Sequence, residues 1–241
     1  MRRPPEGVSR DEFVRQRDSR APVVGQTTMP PMTARALRTA LSLLVALAAG
    51  TIAPSARQAD LRDGEVLVRL ETSLGTIDLA IDTKRAPVTA ANFLKYVDGG
   101  FYEGGRFHRA TRPDNYTPDP PHKPMMEIIQ GGINPARRKE GFEPIALERT
   151  SVTGLRHVVG TVSMARTPAA DSARSDFFIC LDDQPSLDFG GRRFDDAQGA
   201  AAFGRVVAGM DVVRKIQQQP VEKQVLTPPI PITKAARVAG R

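Results

Sequence analysis

With 241 residues, 40% of them hydrophobic, and with 20 prolines and 20 glycines, the chain is long enough for one large domain or two small ones and favours turns over long helices. The formal charge of +7 is concentrated at the N-terminus. Residues 1–56 hold 8 Arg and no Lys against 4 Asp or Glu, so 34 less 8 leaves 26 basic residues and 27 less 4 leaves 23 acidic ones in 57–241. That net of +3 forms no one-signed stripe, so charge gives no ground for a nucleic-acid partner. The one cysteine, Cys180, excludes an intrachain disulfide, and within Phe177–Leu181 it reads as a small buried hydrophobe.

In chain order, residues 1–31 are rich in Arg, Pro and polar types without periodicity. They read as a disordered leader, or as untranslated if synthesis starts at Met29 or Met32. Residues 32–56 have the pattern of a secretory signal peptide: Arg35 and Arg38, then the apolar run Leu41–Ala49, then the small-x-small site Ala53-Pro54-Ser55. The alternative is a retained signal anchor over residues 40–53, the only route to a membrane in this reading. The run is shorter than the roughly 20 residues of a span, which favours cleavage. Either way the folded part is expected to be exported, periplasmic or secreted. Residues 57–64 form a linker, and the globular domain is expected over 65–238.

Within it, Glu65–Ile81 reads as a hairpin. Val66, Val68, Leu70 and Ile77, Leu79, Ile81 alternate with polar neighbours around Ser73-Leu74-Gly75. Pro87 opens a helix, placing Ala90, Phe93, Leu94 and Val97 on one face, and Gly99-Gly100 ends it. Short strands follow near Arg106–Arg109, Ile128–Gln130, Thr161–Ala165, Phe177–Leu181 and Ala202–Val206. A second helix is predicted over Met210–Gln218, with Val212, Val213 and Ile216 inward, and a last strand over Pro228–Val238. Many short strands and two short helices predict a mainly β fold, a closed eight-stranded antiparallel barrel capped by the helices. Ala110–Met126, with five prolines, and Phe189–Gly199 are too long for simple turns.

The chemistry-bearing residues form four blocks in fixed order: Phe107-His108-Arg109, Gln130-Gly131-Gly132, Gly160 through Arg166, and Ser175 through Ile179. They offer one strong cationic donor, Arg109, a glutamine to orient it or bind a peptide backbone, and the apolar residues Ile128, Phe178 and Leu187 with Met164 beneath them. No metal site is expected, because His108, His122 and His157 have no ligand spacing. Ser163 and Ser172 lack the Gly-x-Ser-x-Gly context of a hydrolase, and His108 reads as a structural strand residue. Asp182-Asp183 and Asp195-Asp196 read as solvated loop charges. This inventory suits chemistry that breaks no covalent bond.

The same blocks, with Leu187-Asp188 and Phe203-Gly204-Arg205-Val206, resemble the cyclophilin family of peptidyl-prolyl isomerases over roughly residues 66–218. The resemblance implies an eight-stranded barrel with two helices and no cofactor. It implies cis–trans isomerisation of X-Pro bonds, with proline-containing polypeptides as partners. It makes Arg109 the catalytic arginine and puts Gln130, Ile128, Ala165, Arg166, Phe178 and Leu187 at peptide-binding positions. Arg166 would act through its main chain, and His108 and Met164 would support the site. A monomer is expected.

Five residues at four sites depart from the family pattern. Glu127-Ile128 stand where Phe-Met is usual, Asp176 where Gln is common, Ser186 where an aromatic is common, and Ala200 where His or Tyr is usual. Glu127, Ser186 and Ala200 motivate one alternative, a weakly active or inactive proline-peptide-binding module or chaperone; a second is an assembly role in which the Pro-rich loop 110–126 docks a partner.

Overall fold

The computed structural model describes residues 61–116 and 123–238. The expected leader, the signal segment, the first half of the linker and the middle of the Pro-rich loop, with His122, lie outside the described residues. No helix among the described residues is long and apolar enough to cross a membrane.

The predicted hairpin forms as β1 (Glu65–Thr72) and β2 (Gly75–Asp82), in register from Glu65 opposite Asp82 to Thr72 opposite Gly75. Then come β3 (Gly105–Thr111), β4 (Ile128–Gly132), β5 (Thr161–Met164), β6 (Phe177–Cys180), β7 (Ala201–Ala208), the two-residue β8 (Val221–Glu222) and β9 (Val225–Arg237). Hydrogen bonding runs in the order β1, β2, β7, β5, β6, β4, β3, β9, and β9 returns to pair with β1, all antiparallel. Eight strands thus close a barrel, which removes the exposed edges an open sheet would present. The short β8 folds back on β9 beside the ring.

Inward residues of alternate strand positions fill the barrel. Val68, Leu70, Ile77, Leu79, Ile81, Phe107, Ile129, Val162, Phe177, Ile179 and Phe203 are all fully buried in one cluster. Phe93 of α1 (Pro87–Asp98) enters the same core, with ring centroids 5.2 Å from Tyr102, 5.5 Å from Phe177 and 5.1 Å from Phe203. Each such side chain contributes roughly 1.5–3 kcal/mol by leaving water. Gly131 is required here: a Cβ on it would stand 2.9 Å from Phe107 Cδ1, inside contact distance.

Pro87 begins α1 as expected, but Ala86 before it supplies no side-chain cap. The carboxylate of Glu148, sixty residues on, does so instead. It accepts from Val88 N (3.0 Å) and from Thr89 N (2.7 Å) and Oγ1 (2.6 Å). An anion at the positive helix end satisfies donors that the helix itself leaves free. Glu148→Ala is therefore expected to cost about 1–2 kcal/mol, read as a lower denaturant midpoint with an unchanged slope. An unchanged midpoint would reject this capping role.

The second predicted helix forms as α3 (Met210–Gln217), with Val212, Val213 and Ile216 buried and Gly209 entering it at a φ of 87°. Between them the structure adds elements with no period in the sequence: the single-turn α2 (Thr150–Thr153) and 3-10 segments at Pro135–Glu140 and Pro185–Leu187.

Candidate active site

Regular alternation along β3 would send Phe107 and Arg109 to the same face. Instead Phe107 and Ala110, three residues apart, both reach the core. The ladder explains this. Between Phe107 and Arg109 the pairing slips, so that Phe107 faces Gly131 while Arg109 faces Gln130. The ladder to β9 slips at the same place, with Phe107 opposite Ile230 and Arg109 opposite Val225. The extra residue turns His108 and Arg109 outward together, as a bulge does. Neighbouring registers continue the row across the wall: Gln130 faces Phe178, and Phe178 faces Ser163. At about 4.8 Å per strand step, residues far apart in sequence become neighbours.

Arg109 is held at both ends of its guanidinium. Nη1 donates to Gln130 Oε1 (3.2 Å), while Nε and Nη2 donate to Gln224 Oε1 (2.9 and 2.6 Å). Burial, then the charge of nearby Arg193, lower its pKa from the ordinary arginine value, while Tyr116 acts the other way. Arginine stays cationic across the working range regardless. Both partners are neutral amides, so its charge is oriented without being neutralised. No hydrogen bond or ion pair among the described residues joins Glu127 to it, so the charge at that departure is not spent on Arg109.

Gln224 was not legible as a site residue. It lies in the turn between β8 and β9, where its carbonyl also accepts from Ala110 N (3.0 Å). Gln224→Ala is expected to lower kcat/KM about tenfold, roughly 1.4 kcal/mol, near the low end of the scale for hydrogen bonds to a charged group. A peptide isomerisation assay reads this directly, and unchanged activity would remove Gln224 from the site.

Beside the row, packed against the outer side of the barrel wall, lies a second apolar cluster that is itself buried, its members 0–5% exposed. Met126, Ile128, Phe178, Cys180, Leu187 and Ala200 form it, with Ala165 and Phe194 packed at its margin. It thus unites three expected residues, Ile128, Phe178 and Leu187. Met164 belongs to the barrel interior, so it does lie beneath them, facing the other way. Ala165 and Arg166, with Gln130, line an adjoining hollow of about 350 Å3 that also includes Arg138, Arg174 and Asp176.

The Arg166 side chain, 1% exposed, turns away into the Phe189–Gly199 loop. It bonds Gly199 O (2.7 Å) and Asp196 (2.7 Å) and stacks 3.6 Å over the Phe194 ring. Asp195 pairs with Lys123. Both acidic residues are exposed, as their reading as solvated loop charges expected, and each also pairs with a basic side chain from another loop. Asp183 likewise accepts from Val159 N (3.0 Å). His108 sits at the bulge 4.0 Å from Asp176, its pKa lowered first by burial against the raising effect of that carboxylate.

Residues 67–237 match the family described as cyclophilin type peptidyl-prolyl cis-trans isomerase/CLD. The chain belongs to the cyclophilin family. It is 41% identical over 155 residues to peptidyl-prolyl cis-trans isomerase A of Dickeya dadantii, covering 64% of this chain and 73% of that one. It is 36% identical over 152 residues to peptidyl-prolyl cis-trans isomerase B of Escherichia coli, covering 63% and 84%. The crystal structure of a Cryptosporidium parvum cyclophilin type isomerase shares the fold at a TM-score of 0.58 and 20% identity, covering 73% of this chain and 99% of that chain. This cyclophilin is thus an isomerase of X-Pro peptide bonds. Its long loops on either side of the apolar cluster are tied to one another: Arg193 donates to the Tyr116 hydroxyl (3.1 Å), which donates to Pro124 O (2.8 Å).

Proposed function

We propose that Arg109 is the catalytic residue, that Ile128, Phe178 and Leu187 receive the proline ring, and that Gln130, Ala165 and Arg166 bind the flanking peptide. The observation that carries this is a guanidinium oriented by two glutamine oxygens beside an outward apolar cluster. Rotation about an X-Pro bond is opposed by amide resonance, a barrier of roughly 18–20 kcal/mol, while cis and trans differ by only about 0.5–1 kcal/mol. The barrier falls if the prolyl nitrogen becomes pyramidal and localises its lone pair. A cation aimed at that lone pair stabilises the twisted state more than the planar one. Arginine carries five N–H donors, and three are engaged by Gln130 and Gln224, which leaves two for a substrate. Burial strengthens their effect. The apolar cluster grips the ring so that the carbonyl on its N-terminal side can swing. A Cryptosporidium parvum relative of the same fold was crystallised in the presence of the dipeptide Ala-Pro.

We further propose that the substrates are exported or unfolded polypeptides and that the mature protein acts as a monomer in the periplasm or outside the cell. The support is the signal-like pattern of residues 32–56. Expression of the full chain, followed by fractionation and an intact-mass measurement, tests it. Recovery in the exported fraction with a mass lacking the first 50-odd residues is expected. Full-length protein confined to the cytoplasm would overturn it.

A further inference from the structure

The described residues contain a Ser–His–Asp relay whose members no sequence motif connects. His157 Nδ1 lies 2.8 Å from Asp188 Oδ1, and its Nε2 lies 2.9 Å from Ser163 Oγ. The spacing is that of a hydrolytic triad, but His157 and Ser163 are among the most buried polar residues, with 1% and 0% exposed. The hydroxyl is enclosed and committed to His157, so the spacing alone assigns it no nucleophilic role.

Its position says what it does. Ser163 pairs across the sheet with Phe178. The imidazole lies nearly parallel to the Phe178 ring, with centroids 6.1 Å apart and planes at 16°. Asp188 directly follows Leu187, at the end of the 3-10 turn Pro185–Leu187. Every polar group of His157 is committed: its main-chain N donates to Asp188 Oδ1 (3.2 Å), and its carbonyl accepts from Gln184 N (2.7 Å). The carboxylate holds the proton on Nδ1 and leaves Nε2 to accept from Ser163, the usual way a carboxylate sets a tautomer. Burial raises the Asp188 pKa, but the hydrogen bonds it accepts from His157 and Arg156 outweigh this and hold it below the ordinary carboxylate value. One ring therefore joins β5, the aromatic of β6 and the turn that carries Leu187. An aliphatic side chain would fill the same space without desolvating two ring nitrogens, which costs free energy unless both are bonded. What the imidazole adds is a fixed spacing.

We propose that His157 is a positioning residue of the isomerase site, holding Phe178 and Leu187 at the separation that fits a proline ring. This rests on the assignment of those two residues to the ring pocket. It acts through the pocket walls, so it affects ground-state and transition-state binding alike and shows in KM more than in kcat.

The test is steady-state isomerisation of an X-Pro peptide by the full chain, with circular dichroism to verify folding. His157→Leu keeps volume and removes both tethers and the stack. It is expected to raise KM about tenfold, a loss of roughly 1.4 kcal/mol in binding, with kcat within about threefold. Asp188→Asn, which keeps an acceptor toward Nδ1, is expected to stay within about twofold of the parent on both parameters. A folded His157→Leu protein with unchanged KM, or one that loses only kcat, overturns the proposal. If His157→Leu does not fold, Ser163→Ala carries the test. A KM rise of about threefold supports the proposal and an unchanged KM rejects it. An inactive parent would instead reject the isomerase reading itself, so the two failures are separable.

Discussion

Arg109→Ala is expected to lower kcat/KM for a short X-Pro peptide at least tenfold, which is about 1.4 kcal/mol of transition-state stabilisation. The loss falls mainly on kcat, because the guanidinium favours the twisted imide over the planar one, whereas the apolar cluster that grips the ring is untouched. Stability should change little, since the side chain is half-buried and its partners Gln130 and Gln224 are neutral amides at the groove. Arg109→Lys separates charge from geometry. A lysine ammonium puts its three donors on one nitrogen, so it cannot span Gln130 and Gln224 as the guanidinium fork does while still facing the substrate. It is expected to recover only part of the lost activity. The measurement is an isomerisation assay without a coupling protease, with kcat and KM resolved. A folded Arg109→Ala protein within twofold of the parent would remove Arg109 from its assigned role.

The second large effect sets two adjacent phenylalanines against each other. Phe177 points into the barrel, where its ring meets Phe93 at 5.5 Å, Tyr102 at 5.5 Å and Phe107 at 5.7 Å, each near edge-on. Truncation to alanine there opens a cavity among rings that cannot collapse onto it. Phe177→Ala is expected to cost about 3–5 kcal/mol, enough to bring a marginally stable domain near unfolding. Phe178 points outward into the smaller cluster and stacks on His157. Phe178→Ala is expected to cost less stability and to raise KM at least tenfold, because the proline ring loses its aromatic wall. Chemical denaturation and steady-state kinetics on the two variants read both quantities. Equal stability losses with equal activity would contradict the assignment of opposite faces.

The strands of the barrel were legible because each buries one face. Val66, Val68 and Leu70 alternate, and a one-residue slip would expose all of them. The two longer helices were legible from Pro87 and from the spacing of Val212, Val213 and Ile216. The bulge at His108-Arg109 was not. It is a property of the pairing with β4 and β9, and nothing local in Phe107-His108-Arg109 marks it. Arg109, Gln130, Ile128, Phe178 and Leu187 were recognisable from the ordered blocks. Gln224 was not, since it reaches Arg109 across 115 residues of chain from an undistinguished turn. The His157 relay escaped for the same reason, being assembled from two loops and a strand. Asp195 and Asp196 look like solvated charges in sequence, and only the fold brings Lys123 and Arg166 to them.

Catalysis in this account happens on the bound peptide, through a cation held against the prolyl nitrogen. Exchange spectroscopy on an isotope-labelled X-Pro peptide in complex with the full chain observes that event without turnover or release. Cis–trans exchange many times faster than in free peptide is expected for the parent, and exchange falling back toward the free-peptide rate in an Arg109→Ala complex that still binds. An Arg109→Ala complex that exchanges as fast as the parent would contradict it.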